Sequence, residues 1–189
     1  MEVPSIKGSA FQSVVEDVKR LIDEDRIDPS ELASHLNAKD RGFLDVEVTP
    51  LGWFPIATYG RMLELLAREE GGDDPQAYLC ARGARAADRM LSGIYESFVA
   101  SPGAWGARVG QTMMGIGKLL YNFTAWTFRP VEGEIYEIEV TDAREYPEPA
   151  RFTAQGFLCC FAQRASGREM RVTSSRPTPE RIVYRIQPA

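Results

Sequence analysis

Apolar residues recur every three to four positions along the first two thirds of the chain, which is the spacing of helices that bury one face. The pattern predicts five helices, at Phe11 to Asp25, Pro29 to Leu36, Ile56 to Glu70, Tyr78 to Phe98 and Trp105 to Trp126. Two of them have well-specified starts, because Asp28-Pro29 and Asp74-Pro75 each place a capping aspartate before a proline at the first helical position. Gly110, Gly115 and Gly117 each weaken the last helix by up to about 1 kcal/mol relative to alanine, so we expect close packing or a bend there.

The period of the pattern changes after residue 127, where β-branched residues and alternation become common. Strands are predicted at Gly133 to Thr141, Arg168 to Ser174 and Arg181 to Ile186, and a helix at Phe152 to Ala165 lies between the first two. A further short strand or extended linker is predicted where Leu44, Val46 and Val48 alternate with polar residues.

This order of elements indicates the α+β class, with a helical N-terminal two thirds packed on a small antiparallel sheet. The C-terminal part forms a β-α-β-β unit in this scheme. We expect residues 1–50 to form an N-terminal helical extension and residues 51–189 to form a ligand-binding or interaction domain of α+β type.

Composition restricts the classes of partner. The 189 residues include 22 Lys and Arg against 27 Asp and Glu, and this net charge of −5 argues against nucleic acid as a general partner. No apolar run approaches the ~20 residues of a membrane span, the first residues do not resemble a secretory signal, and three cysteines are too few for an oxidised scaffold. A cytoplasmic protein is expected.

The arginines of the C-terminal segment are either solvated or form a docking patch for an acidic partner, at Arg164, Arg168, Arg171 and Arg176.

The chain offers little catalytic chemistry. His35 is the only histidine, and no nucleophile or second metal ligand lies near it in sequence. Cys159 and Cys160 are adjacent, so on a helix their side chains point about 100° apart and cannot readily chelate one ion. The glycine-rich stretch 110–118 lacks the GxxxxGK[ST] order of a phosphate-binding loop. We therefore expect no catalytic residues, no metal site and no cofactor.

The order of elements resembles one superfold, with its characteristic segments at Ala81-Arg82-Gly83-Ala84-Arg85, Gly156-Phe157 and Arg181-Ile182-Val183-Tyr184. Over roughly residues 53–187 the chain is similar to an uncharacterised bacterial family related to haem–nitric-oxide-binding domains, 4-vinyl-reductase-like domains and TRAPP vesicle-tethering subunits. Haem-binding members ligate iron through a histidine on a central helix and hold the propionates with a Tyr-x-Ser-x-Arg motif. Here His35 lies outside the matching region, and Tyr95-Glu96-Ser97 continues with Phe98-Val99 instead of leading to an arginine. The resemblance therefore implies storage of an apolar ligand in the core, or assembly with partner proteins, without haem.

Aromatic residues and methionines are concentrated between Trp53 and Phe161, beside the glycine-rich helix. Because Trp and Tyr carry polar tips, such a region can line an apolar pocket that has a few hydrogen-bonding groups. We expect a non-enzymatic small-molecule-binding or sensory domain whose cavity takes an apolar or aromatic molecule. The candidate lining residues are Trp105, Met113, Tyr121, Trp126 and Phe157.

The alternative is a structural interaction module that binds a protein partner or self-associates, as a dimer or as a subunit of an assembly, without a ligand. It predicts that the apolar stripe of Phe11 to Ile22 or that of Pro55 to Glu70 is exposed.

Overall fold

The structure, a computed structural model, describes residues 3–92 and 107–189, which form seven helices and six strands. The helices are α1 (Gly8–Asp23), α2 (Pro29–His35), α3 (Ala38–Arg41), α4 (Ile56–Glu70), α5 (Pro75–Leu91), α6 (Ala107–Leu120) and α7 (Glu148–Ser166). The strands are β1 (Ser5–Lys7), β2 (Trp53–Pro55), β3 (Ala125–Glu132), β4 (Ile135–Thr141), β5 (Met170–Thr178) and β6 (Arg181–Pro188). None of the described helices is both long and apolar enough to cross a membrane.

Two antiparallel sheets organise the strands. The larger sheet has the order β3-β4-β6-β5, and α7 connects β4 to β5, so the predicted β-α-β-β unit is present. In the smaller sheet β1 pairs with β2, with Ile6 opposite Phe54. The α+β class predicted from the sequence is confirmed.

The predicted strand at residues 44–48 is wrong. Asn37 and Asp40 cap each other reciprocally and start the short helix α3, which continues into a 3₁₀ turn at Gly42–Leu44. Leu44 and Val48 are buried singly from this irregular segment, and no strand is formed there. Local capping therefore prevails over the alternation of apolar residues.

The C-terminal end of the predicted Trp105 to Trp126 helix is also wrong. Helix α6 ends at Leu120, and Trp126 lies in β3, where it pairs with Val140 of β4. Phe128 pairs with Ile138 in the same ladder. Cross-strand burial of large side chains decides the conformation of this segment, and helical spacing alone does not report such pairing.

The apolar stripes of α1 and α4 are buried within the chain. Phe11, Val14, Val18 and Leu21 of α1 have no exposed surface, and the same holds for Leu63 of α4. The exposed stripe that the interaction alternative predicts is therefore absent from both helices. The core is continuous across residue 50, because α1 packs on α4 in one hydrophobic cluster with the sheet. The division at residue 50 remains a prediction.

Helices α5 and α7 cross at two glycines. A methyl group at Gly83 would overlap the carbonyl oxygen of Thr153, and one at Gly156 would overlap the carbonyl oxygen of Cys80. The two backbones thus touch directly, which no residue with a side chain would allow. This contact fixes the spacing of the two helices.

Asp40 links α3 to α4 through a buried carboxylate. Its oxygens accept hydrogen bonds from the Thr58 hydroxyl at 2.6 Å and from two guanidinium nitrogens of Arg61, each at 2.7 Å. Burial alone would raise the pKa of Asp40, but the bonds from Arg61 and Thr58 outweigh burial and lower it below the usual 3.8. The carboxylate is therefore ionised in the folded protein.

We expect Gly156→Ala to destabilise the protein by about 1–3 kcal/mol, because the added methyl must push α7 away from α5. Gly115→Ala is the control, since no described atom lies within 4 Å of a methyl group at that position. That variant should gain up to about 1 kcal/mol from helix propensity. Urea unfolding followed by circular dichroism measures both values, and wild-type stability of Gly156→Ala would contradict the close crossing.

Asp40→Asn should lower the free energy of unfolding by about 2–4 kcal/mol at neutral pH, because the Arg61 guanidinium loses the negative charge of its hydrogen-bonded partner. The folded pKa is lowered, so this stabilisation is complete above the ordinary value of 3.8 and is lost as the pH falls through the folded value. The difference between variant and wild type should therefore shrink below about pH 4. Asp23→Asn, at an exposed carboxylate, is the control, and an equal effect there would refute the role of burial.

Candidate functional site

A mainly apolar cavity of about 240 Å³ lies among five helices and the first strand of the larger sheet. A cavity of 150 Å³ holds benzene, so this space accommodates a somewhat larger apolar molecule. Its described lining comes from α1, α4, α5, α6, α7 and β3 and comprises Ser9, Ala10, Tyr59, Gly83, Ala86, Met90, Met113, Ile116, Gly117, Leu120, Tyr121, Trp126, Thr153, Ala154, Phe157 and Leu158.

Four of the five predicted ligand-lining residues lie in this wall. Met113, Tyr121 and Trp126 are buried, and Phe157 is half-buried. Trp105 lies outside the described residues, as does the Tyr95 to Val99 segment that was compared with the propionate-binding motif. The role of these residues in ligand binding stays a prediction.

Sequence reasoning missed the wall that α1 and α4 provide. Ser9 and Ala10 belong to the first turn of α1, and Tyr59 lies one turn into α4. The signal for the α5 wall was present, because Gly83 and Ala86 make the middle of that helix unusually small. Small side chains on one wall leave space that the large rings of the other walls do not fill.

An aromatic stack forms the sheet side of the cavity. The Trp126 ring lies between those of Tyr121 and Tyr184, with centroid distances of 5.8 Å and 6.2 Å and interplanar angles of 12° and 7°. A methyl group at Gly117 of α6 would meet the Trp126 ring. The close packing that we expected at a glycine of this helix is thus present, and it brings α6 onto the stack.

The polar groups of the lining are mostly hydroxyls. The Tyr146 hydroxyl donates a hydrogen bond of 2.8 Å to the hydroxyl of Tyr121, which lines the cavity. The Thr153 hydroxyl, also in the lining, donates a hydrogen bond of 2.9 Å to the carbonyl oxygen of Ala150. Burial raises the pKa of Tyr121 well above the usual 10.0 and also raises that of Tyr59. Both phenols are therefore neutral, and they can donate hydrogen bonds without acting as bases.

The remaining candidates for reactivity, the cysteines and His35, lie in environments that do not activate them. Cys159 donates to the carbonyl oxygen of Met170 with a sulfur–oxygen distance of 3.2 Å, and burial raises the pKa of its thiol and of the Cys80 and Cys160 thiols. No group of three or more His, Cys, Asp or Glu among the described residues could hold a metal ion. His35 lies on α2 against the Arg68 guanidinium, far in the fold from the cavity lining.

The predicted acidic-partner patch is largely neutralised within the chain. Arg168 pairs with Glu134 at 2.7 Å, and Arg176 pairs with Glu148 at 2.8 Å. Arg164 pairs with Asp88. The solvated alternative is therefore the better interpretation of these arginines.

Comparison with known proteins identifies solved structures that share this fold. No protein-family model matches the chain, and no curated protein matches it in sequence. Among solved structures, the Fe(II) unliganded H-NOX protein from K. algicida matches with a TM-score of 0.65 at 8% identity, over 97% of both chains. A mutant H-NOX from T. tengcongensis matches with a TM-score of 0.62 at 15% identity, over 97% of this chain and 100% of that one. The chain has the H-NOX fold.

H-NOX domains are haem–nitric oxide/oxygen binding domains, so the resemblance stated from the sequence is confirmed at the level of fold. The likeness extends over 97% of the chain, and the predicted limit at residues 53–187 was too narrow. The first helices, with His35, belong to the same fold.

The residues of this cavity do not fit a haem. The sequence has a single histidine, His35, and it is absent from the lining, as are all three cysteines. The lining oxygen donors closest in chemistry to a haem ligand are Tyr59 and Tyr121, and burial disfavours the phenolate that iron would need. The stacked Trp126 fills the sheet side of the space.

We expect the purified protein to leave added haemin with the absorption spectrum of free haemin, because the described lining has no histidine or cysteine and burial keeps Tyr59 and Tyr121 neutral. Titration with one equivalent of haemin, followed between 350 and about 450 nm, gives the measurement. The control is the heat-unfolded protein, which should give the same haemin spectrum as the folded protein. A sharp, shifted Soret band seen only with the folded protein would contradict this conclusion.

Proposed function

We propose that this protein is a non-enzymatic, small-molecule-binding sensory domain whose ligand is an apolar or aromatic molecule. The observation that carries the proposal is the apolar cavity of about 240 Å³, walled by rings and small residues. The fold supports it, because solved structures with the same fold are named as haem–nitric oxide/oxygen binding domains. Fold alone does not assign the ligand, so the lining residues must do so.

The proposed ligand contacts are apolar, with one polar anchor. Met113, Trp126 and Phe157 would contact the body of the ligand, and Trp105 is retained in the proposal as a fourth apolar contact. The Tyr121 hydroxyl would donate one hydrogen bond, because Tyr146 already donates to it. Burial of apolar ligand surface at about 25 cal/mol per Å² supplies most of the affinity.

Binding without catalysis follows from the chemistry of the lining. The described wall offers neutral phenols, alcohols and apolar side chains, and it offers neither a carboxylate nor a thiol. Proton transfer needs a group with a pKa near the working pH, and burial raises the pKa of the two lining tyrosines above their usual 10.0. These observations support a binding role.

A sensory output would arise from a change in the arrangement of the helices that the ligand contacts. The cavity lies between α5, α6 and α7, and α6 contains Gly115, which has no described neighbour within 4 Å of its missing methyl. A ligand that contacts α6 and α7 together would favour the arrangement in which both walls are close. The ligand shifts this equilibrium by its differential affinity for the two arrangements, and a protein partner would detect the altered surface.

We expect the neutral probes naphthalene and 4-phenylbutan-1-ol to raise the melting temperature. At a free concentration of about 100 times Kd, binding adds about 2.7 kcal/mol, or roughly 5–10 °C for a domain of this size. Ala86→Phe, which places a ring in the cavity, should remove most of this shift. Differential scanning fluorimetry measures the shift, and native mass spectrometry gives the stoichiometry.

Ala81→Phe is the matched control, because Ala81 lies on the same helix with an exposed side chain outside the cavity lining. It should keep the full shift. The absence of any shift across both probes in the wild-type protein, together with a ligand-free mass, would refute the proposed function.

A further inference from the structure

The apolar cavity continues into a second, more polar compartment. This cleft has a volume of about 320 Å³ and is lined by residues of α1, α4, α5 and α7. Seven residues line both spaces: Ser9, Ala10, Tyr59, Gly83, Ala86, Met90 and Thr153. The two compartments are therefore adjacent, because they share these seven lining residues.

Arginines distinguish the second compartment from the first. Arg82, Arg85 and Arg89 are spaced by three and four residues along α5, so they share one face of the helix. Arg82 and Arg89 line the cleft, with the Ser13 hydroxyl beside them, and no acidic residue is among its described lining. Every other lining residue of the cleft is uncharged.

The charge of Arg82 is already balanced. Its guanidinium is buried, pairs with Asp17 and lies 3.3 Å from the Ser13 hydroxyl. Arg89 is exposed and lines both the cleft and an outer recess that contains Asp17 and Glu70, and among the described residues it forms no ion pair. At the edge of the cleft its guanidinium therefore has no described carboxylate within ion-pair distance.

We propose that this cleft holds the anionic end of the ligand, and that the ligand is an apolar monocarboxylate. The proposal rests on the proposed function, because the apolar body of the same molecule occupies the cavity. The planar guanidinium of Arg89 binds a carboxylate with two parallel hydrogen bonds. A single arginine without a described ion-pair partner matches a single negative charge. The cavity volume matches an aromatic ring with a short chain.

Isothermal titration calorimetry with 4-phenylbutyrate and its neutral counterpart, 4-phenylbutan-1-ol, tests this assignment. We expect the acid to bind the wild-type protein about tenfold more tightly than the alcohol at low salt. Because Arg89 is exposed, added salt should reduce this preference. Arg89→Gln should abolish the preference and leave the affinity for the alcohol unchanged.

Arg85→Gln is the matched control. Arg85 lies on the same face of α5, is exposed, and shares the outer recess of Asp17 and Glu70 with Arg89, but unlike Arg89 it does not line the cleft. This variant should keep the full preference for the acid. Circular dichroism and melting temperature confirm that both variants are folded.

The outcomes separate the two proposals. Equal binding of acid and alcohol, or a preference that survives Arg89→Gln, overturns the anionic subsite and leaves the apolar cavity function standing. Loss of the preference in Arg85→Gln and not in Arg89→Gln also overturns it, because Arg85 and not Arg89 would then hold the anion. If neither probe binds, the proposed function fails together with this inference.

Discussion

Helices α5 and α7 touch backbone to backbone where Gly83 faces Thr153 and Gly156 faces Cys80. Ala86 follows Gly83 by less than one turn and Phe157 follows Gly156 directly, and both line the cavity. The cavity therefore lies beside the direct backbone contact of these two helices. On its far side α6 is held against the Trp126 ring by the absence of a side chain at Gly117. Two contacts that depend on glycines thus bound an empty space, and rigid packed walls keep it from collapsing.

The same packing removes reactivity from the interior. Burial raises the pKa of the Tyr121 phenol and of the Cys159 thiol. Both groups therefore stay protonated at neutral pH. The one buried carboxylate of the described core, Asp40, is held ionised by Arg61 and Thr58 and links two helices. The charge of Asp40 thus holds two helices together, and the described lining of the cavity consists mainly of apolar side chains and hydroxyl groups.

Local physics made much of this fold predictable. Helical spacing and the Asp28 and Asp74 caps are properties of neighbouring residues, and the structure has α2 and α5 beginning directly after them. Long-range pairings were not accessible in the same way. The side chain of Asn122 accepts a hydrogen bond from the Ser5 amide at 2.7 Å and donates one to the carbonyl oxygen of Val3, so it ties this segment to the N-terminal strand. These partners lie more than 110 residues away, and no local pattern encodes them.

At the candidate site, residue types could be interpreted from the sequence, but the positions of the residues relative to one another could not. The density of large rings identified Trp126 as lining although its predicted helix was wrong, because an aromatic residue in this region is buried in either conformation. The wall that α1 and α4 provide and the place of Arg89 at the cleft depend on which elements meet, and they emerged only from the tertiary arrangement.

A shared fold does not require a shared ligand. The H-NOX likeness concerns the path of the backbone at 8–15% identity, and side chains decide what the interior holds. Here the sole histidine is on α2, and the sheet side of the cavity carries a stack of Tyr121, Trp126 and Tyr184. A flat, metal-centred macrocycle needs an axial donor and an open slot, whereas this interior offers rings, a phenol hydrogen and a nearby positive charge. The shared backbone framework therefore does not by itself assign a porphyrin to this interior.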